Sequence, residues 1–414
     1  VLQDCSKPRF VTLFPDFEDF HLFKDVGMIP HFFGQNGFDP EIVRCSKLKG
    51  CTSQVETSDT FPSLTLVGSP KVCTVKTSFR IGGISLGLCV FLWRESKAIN
   101  ILNLYHFSTA SKIYGLLFKI RNPMGYLYLK ADYSPDFETY QSEQGLKRKP
   151  TSLIMKLVGH ILETLLDKVV DLVSIEIPQI ESSVREKFRL SSSNLVHIPN
   201  GLFLPSPEDL NFDVSTQVKE KLIIWAGRVG SFPKNIDLFL KALTLVNFSN
   251  WKVVIAGPID PNYRNSIVNY FQEFPELSEL INFTGRALSR EELYSLYRRS
   301  KILCVSSRWE GFPLVVPEAL FFGNAVLSTN LSFARSLSEN GAPVWCTEDR
   351  SPEAFARALE SLMNNETELE VAAARANAYA RSHLMWRDII NNLVGIIENF
   401  RRTYSGAYGS RRHL

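Results

Sequence analysis

Two glutamates eight positions apart carry the sharpest chemical signal in this sequence. Glu310 and Glu318 lie in SSRWEGFPLVVPEALFFGNAVLST, residues 306–329. A carboxylate only accepts hydrogen bonds, so a fixed pair suits hydroxyl donors such as those of a sugar. Between them, Gly311, Phe312, Pro313 and Leu314 form a loop able to turn backbone N–H groups toward an anion. The short helix expected to start near Pro317 would add its positive end. The second segment is WAGRVGSFPKN, residues 225–235. Arg228 and Lys234 follow a glycine turn and precede a helix, which suits a phosphate group. The segment is neither a GxxxxGK[ST] loop nor a GxGxxG loop. Taken singly, each segment also fits a plainer role: two solvated loop cations, and one helix-terminal plus one solvated glutamate.

The surrounding pattern supplies elements to hold these residues. Apolar runs at 221–227, 251–257, 280–285, 302–307, 324–329 and 342–347 read as strands. Between them, 235–246 has helical spacing at Ile236, Phe239, Leu240, Leu243 and Val246. Ser289 with Glu292 three positions on predicts a capped helix over 289–300. Residues 317–323 predict a short helix with Pro at its start and Gly at its end, and 351–363 and 368–400 are also helical. Continuous apolar strands alternating with helices mean a parallel sheet covered on both faces.

The first half repeats the alternation more faintly. Strands are expected at 10–14, 100–105, 126–131, 172–176 and 195–199, and a helix at 152–170. The apolar run 84–93 is a buried helix or strand, far short of the roughly 20 residues of a membrane span. Residues 46–63 are polar and read as a loop, and 198–210 as the interdomain linker. The expected fold class is α/β, with two Rossmann-like doubly wound domains facing each other across a cleft. The domains are 1–203 and 204–384, followed by 385–414 as a C-terminal helix crossing back to the first domain plus a frayed tail. Ligands of such sheets bind beyond the carboxyl ends of the strands.

Composition narrows the partners. With 46 basic and 43 acidic residues the net charge is +3, no footprint of a nucleic-acid binder. The small basic excess lies in the first half, which leaves contact with anionic headgroups open. The seven cysteines include no CxxC pair, so neither a zinc site nor a disulfide framework is indicated. Cys304 and Cys346 sit in apolar runs and read as buried thiols of a reducing, cytoplasmic compartment. No signal peptide is evident at the start.

Taken together, six landmarks resemble the carboxy-terminal domain of family 4 glycosyltransferases, retaining enzymes of the GT-B fold. They are IPNG at 198–201; Gly227, Arg228 and Lys234; AGP at 256–258; FTG at 283–285; and the segments around Glu310 and Glu318. The resemblance is strong over about 195–400 and moderate before it. It implies that Arg228 and Lys234 neutralise the donor diphosphate and help it leave. It implies that Glu318 accepts hydrogen bonds from the ribose, and that Glu310 holds the transferred sugar beside Gly311, Phe312, Pro313 and Leu314. Gly227 belongs to the same donor site, and Arg286 lies where the family contacts the base. No metal or other cofactor is implied.

In the first domain the resemblance implies the acceptor side. Gly27 matches the glycine beside the donor phosphates, with a packing glycine in a helix as the other reading. The family's His-Asp pair is reduced here to Lys130-Ala131-Asp132. Asp132 would orient or deprotonate the acceptor hydroxyl; it also suits a plain turn, and Lys130 could pair with it. His106 reads as a strand-end histidine. Lys147-Arg148-Lys149 precede a helix with Leu153, Ile154, Leu157, Ile161 and Leu165. That stretch is either a bilayer-touching edge or a solvated turn before a core helix. The implied activity is transfer of a sugar from a nucleotide-sugar, UDP-linked, to a sugar or lipid-linked hydroxyl, as in cell-surface glycan assembly. A UDP-sugar epimerase of the same fold and a non-catalytic nucleotide-sugar-binding protein are the alternatives.

Overall fold

The computed structural model describes residues 7–47, 55–58, 69–77, 80–81, 83–144, 153–191, 194–204 and 206–409. The basic run 147–149 and residues 410–414 of the tail lie outside them. The chain divides into two compact units: Val1–Tyr133 with Arg148–Phe203 and Trp386–Leu414, and Ser134–Lys147 with Leu204–Met385.

Along the first part of the chain run β1 (Arg9–Leu13), α1 (Asp25–Gln35), β2 (Asp39–Lys47), β3 (Val55–Ser58), β4 (Lys71–Thr77), β5 (Arg80–Ile81), β6 (Ile84–Ser85), α2 (Leu86–Glu95), β7 (Ile101–Tyr105), α3 (Thr109–Arg121) and β8 (Tyr126–Lys130). Then come α4 (Pro135–Glu143), α5 (Leu153–Val169), β9 (Leu172–Ile175), α6 (Glu181–Phe188) and β10 (Asn194–His197). Eight of these strands form one sheet in the order β10-β9-β8-β7-β1-β2-β4-β3. It is parallel except for β3, which runs antiparallel to β4. The expected loop 46–63 therefore holds the end of β2 and, at 55–58, an edge strand; its remaining residues are not among those described. The run 84–93 is mostly α2, whose Leu88 and Leu92 are buried while Leu86 and Trp93 face solvent.

The second unit contains α7 (Pro207–Leu210), β11 (Leu222–Ala226), α8 (Ile236–Leu243), β12 (Lys252–Ala256), α9 (Arg264–Glu273), β13 (Ile281–Phe283), α10 (Arg290–Arg299), β14 (Ile302–Val305), α11 (Val315–Phe321), β15 (Ala325–Ser328), α12 (Ser332–Glu339), β16 (Val344–Cys346), α13 (Pro352–Met363) and α14 (Glu366–His383). Its six strands are all parallel, in the order β13-β12-β11-β14-β15-β16. Strands β11 and β14 are central and buried on both faces, which explains their unbroken apolar sequence. The expected linker ends in a helical turn, α7, with Ser206 accepting from the Asp209 N–H. The expected helix at 317–323 begins two residues earlier, and the run 368–400 breaks at Leu384–Met385 into two helices. Cys304 is buried, but Cys346 at the end of β16 is only half-buried because β16 is an edge strand.

The last helix, α15 (Trp386–Gly409), belongs to the first unit. Trp386, Ile389, Ile390, Leu393 and Ile397 enter the same core as Phe10, Phe33 and Ile101. The Trp386 N–H donates to the Leu202 carbonyl at 3.2 Å. Residues 134–147, which the sequence reading placed within 1–203, group instead with the second unit.

Candidate active site

The site in the second unit grows from the carboxyl ends of β11 and β14. At the end of β11, Gly227 and Gly257 pass very close. A Cβ on Gly257, whose φ is +138°, would lie 1.9 Å from the Gly227 carbonyl oxygen. The loop then runs through Gly230, also at positive φ, and Asn235 in the left-handed region to the start of α8. Hydrogen bonds stitch this loop to the one after β14. The Ser306 hydroxyl donates to the Lys234 and Asn235 carbonyls at 3.1 and 3.0 Å and accepts from the Trp225 indole at 3.0 Å. The Arg308 N–H donates to the Pro233 carbonyl at 2.8 Å. Each loop is thus held by the other.

This stitching joins two residues that the sequence reading assigned to different parts of a ligand. Lys234 Nζ lies 2.6 Å from Glu310 Oε1, which also accepts from the Ser307 hydroxyl at 2.7 Å. Both side chains are largely covered. Arg228, on the same loop, points its side chain to solvent. After Gly311, Phe312 and Pro313 are buried and Leu314 leads into α11.

Glu318 sits in the first turn of α11 and is 6% exposed. Burial pushes its carboxyl above the usual range, and the Arg290 guanidinium pulls the other way. Arg290 Nη1 donates to Glu318 Oε1 at 2.7 Å and to the Tyr294 hydroxyl at 2.9 Å. Sequence reasoning did not single out Arg290. It opens α10 beside the Ser289 cap, and only the tertiary approach of α10 to α11 makes it a partner of Glu318. Arg286 is exposed and forms a two-pronged pair with Glu292, at 2.5 and 3.0 Å, whose carboxyl it holds down at about 2.

Sequence reasoning also missed α4. Asp136 accepts from the Ser332 N–H and hydroxyl at 3.0 and 3.2 Å, and Arg350 lies 3.6 Å away. This anchor sets Phe137 and Tyr140 against Trp309, with ring centroids 4.9 and 5.1 Å apart, next to Glu310. Tyr140 also meets Phe232 at 5.8 Å, two residues before Lys234. A cavity of about 320 Å³ opens here, lined by Tyr140, Asn235, Lys241, Ser307, Arg308 and Arg350 among others.

The first unit holds a second polar cluster at the ends of β8 and β9. Lys130 is fully buried, 3.0 Å from Glu176 and 3.7 Å from Asp25 at the start of α1. The expected alternative, a pairing of Lys130 with Asp132, is not what forms: Lys130 turns inward to Glu176, while Asp132 is exposed. Burial pushes Glu176 up to about 8, against the pull of Lys130, and Asp132 and Asp25 add to the rise. Burial works against the Lys130 charge, yet Glu176, Asp25 and Tyr128 hold its pKa above the ordinary value. Neither Glu176 nor Asp25 carries a signature in sequence, since each is recognisable only by its neighbour on another element. Gly27 lies in the first turn of α1, where a Cβ would come 2.2 Å from the Leu22 carbonyl oxygen. Backbone packing alone therefore requires a glycine there. His106, at φ 59°, is exposed beyond the end of β7, and its N–H bonds the Lys130 carbonyl.

Residues 208–382 match the family described as "Glycosyl transferases group 1". The chain is 31% identical over 166 residues to an alpha-1,4-N-acetyl-D-galactosaminyltransferase of Campylobacter jejuni, covering 38% of this chain and 43% of that one. It is 27% identical over 218 residues to an uncharacterized glycosyltransferase of Haemophilus influenzae, covering 51% and 56%. The matched segments thus span about half the length of these curated relatives or less. Among solved structures, the Anabaena protein HepE in complex with UDP and glucose covers 95% of this chain and 100% of its own. Its TM-score is 0.66 at 12% identity. The fold is two Rossmann-like α/β domains of the GT-B kind. The matched domain and the names of these relatives are those of glycosyltransferases.

Proposed function

We propose that the chain is a retaining glycosyltransferase of family 4, moving a sugar from a UDP-sugar to a hydroxyl of a sugar or lipid-linked acceptor. The observation that carries the reading is the stitched pair of strand-end loops, which sets Lys234 and Ser307 each within 2.7 Å of Glu310 in a domain that matches the family. In the proposed complex, Arg228 and Lys234 bind the diphosphate, and Glu310 exchanges Lys234 for the hydroxyls of the sugar. Glu318 accepts from the ribose, with Gly27, Gly227, Arg286 and residues 311–314 completing the donor contacts. The acceptor oxygen attacks the anomeric carbon as the bond to the diphosphate oxygen breaks, on the same face. The acceptor proton passes to the departing phosphate oxygen or to Asp132, the proposed acceptor-side group. The two cations serve the diphosphate in this scheme, so it invokes no metal.

Support for UDP comes from the fold relative solved with UDP and glucose. Support for a lipid-linked acceptor comes from the Campylobacter relative, whose name includes a PP-undecaprenol acceptor. A cytoplasmic protein in peripheral contact with the inner membrane face, working in glycan assembly, follows from the same reading. No helix among the described residues is long and apolar enough to cross a membrane. The test is incubation with UDP-, GDP- and dTDP-sugars, with and without a hydroxyl acceptor, followed by nuclear magnetic resonance of the products. The expected result is acceptor-dependent release of UDP and an unchanged anomeric configuration. Epimerised donor without acceptor, an inverted product, or donor bound but left intact would each overturn it.

A further inference from the structure

Glu318 has to do its proposed work almost out of water. A carboxylate in that position tends to take up a proton, and a protonated oxygen donates where a ribose hydroxyl needs an acceptor. Its neighbours on α10, Tyr294 and Tyr297, do not supply a charge. Both are buried phenols whose own pKa values burial pushes up, and the nearby Glu318 charge pushes them the same way.

One cation opposes this. Arg290 Nη1 donates to Glu318 Oε1 at 2.7 Å, and the Arg290 side chain is itself only 23% exposed. Arg290 is held from two sides. The reciprocal cap of Ser289 and Glu292 fixes the first turn of α10, from which it reaches out. One turn on, the Tyr294 hydroxyl accepts from Nη1 at 2.9 Å. Among the described residues no group donates to the second carboxylate oxygen, Glu318 Oε2. The other elements packed on α11 bring no second cation to Glu318. Arg381 of α14 lies over the Phe321 ring, Asn377 donates to the Phe321 carbonyl, and β15 brings Ala325–Ser328.

As a tie between α10 and α11, the pair has no advantage over two apolar side chains. Dehydration of both charges offsets most of their attraction. What the pair supplies, and apolar packing does not, is a carboxylate that stays ionised away from water with one oxygen pinned.

We infer that Arg290 is a positioning residue for the nucleoside: it holds Glu318 as a carboxylate by one oxygen and leaves the other for ribose hydroxyls, which makes the site prefer a ribonucleotide to its deoxy analogue. This deepens, and rests on, the proposal that Glu318 accepts from the ribose of the donor.

The test is calorimetric titration of UDP and 2′-deoxy-UDP into the parent, Arg290→Gln, Arg290→Lys, Glu318→Gln and the double variant Arg290→Gln with Glu318→Gln. The parent should prefer UDP. Near neutral pH, Arg290→Gln should bind UDP roughly tenfold or more weakly and lose less for 2′-deoxy-UDP, so the preference shrinks. Without its cation the Glu318 carboxyl rises further, so the UDP deficit of Arg290→Gln relative to the parent should narrow as pH is raised. Arg290→Lys, which keeps a charge, should fall between the two. The double variant should bind UDP like Glu318→Gln alone, because Arg290 acts only through Glu318. It leaves no unpaired buried charge, so with Arg290→Lys it carries the test if Arg290→Gln does not fold.

Equal losses for both nucleotides with no dependence on pH would make Arg290 a tie between helices and overturn the inference. Parent-like binding of both nucleotides by the folded Arg290 variants would also overturn it, as would a double variant clearly weaker than Glu318→Gln. In these cases the parent still binds UDP and the glycosyltransferase reading stands. A parent that binds neither nucleotide sinks that reading and this inference with it.

Discussion

The two units place charge at the carboxyl ends of parallel strands in opposite ways. In the second unit, Lys234 and Glu310 sit on loops, partly covered, and each is the other's partner. In the first unit, Lys130 and Glu176 are packed beneath the surface, with Asp25 partly covered at their edge, and Lys130 is fully buried. A pair on loops that keeps some contact with water costs less to break than a fully buried one and can trade partners. A buried cluster costs much to break and fixes geometry. Under the proposed function, ligand exchange falls to the second unit's loops, while the first unit's cluster holds the β8 and β9 ends.

The largest effect is expected from Lys130→Met. It leaves two carboxyls without their cation in a buried site, which typically costs about 3–5 kcal/mol. Chemical denaturation would measure this, and a loss under 1 kcal/mol would mean the cluster is solvated. Next comes Glu310→Gln, which should lower transfer about 10²–10³-fold as an electrostatic contact to the reacting sugar is weakened. Because it also releases Lys234, UDP affinity should hold or rise. A drop in UDP affinity together with turnover would show that Glu310 positions the loop rather than the sugar.

Asp132→Asn should lower transfer about 10²–10⁴-fold if it acts as a positioned acid or base. UDP affinity should stay at the parent value. Transfer at the parent rate would make it a turn residue. A further effect concerns pH. The folded value for Glu176, about 8, lies above its unfolded value of about 4.5. Between those values the folded state binds the extra proton, so this residue's contribution to stability falls as pH rises, by at most about 1.4 kcal/mol per unit. The stability margin of the parent over Glu176→Gln should therefore shrink from about pH 5 to about pH 8. A margin that grows over that range would contradict the assignment.

What the sequence revealed follows the same division. The loops of the second unit were legible because each lies next to its own strand. Gly227, Arg228 and Lys234 follow β11 within a few residues, and Glu310 follows β14. The cluster in the first unit was not legible, since Asp25, Lys130 and Glu176 meet only when α1, β8 and β9 are brought together. Arg290 escaped for the same reason. Helix α4 escaped because nine mostly polar residues show little helical period, and its role rests on Asp136 reaching Ser332, 196 positions away. For α5 the helix was legible, but the core-helix reading of Leu157, Ile161 and Leu165 fails, since all three are exposed.

The central claim is that the second unit's paired loops bind a nucleoside diphosphate. Calorimetric titration of UDP into the parent, Arg228→Ala and Lys234→Ala tests it most directly. Loss of one charge-assisted contact is worth about 1.5–3 kcal/mol, so each variant should bind roughly 10- to 150-fold more weakly. Arg228→Ala should show the larger loss, because Arg228 is open to solvent while Lys234 must first leave Glu310. UDP binding unchanged in both variants would contradict the account.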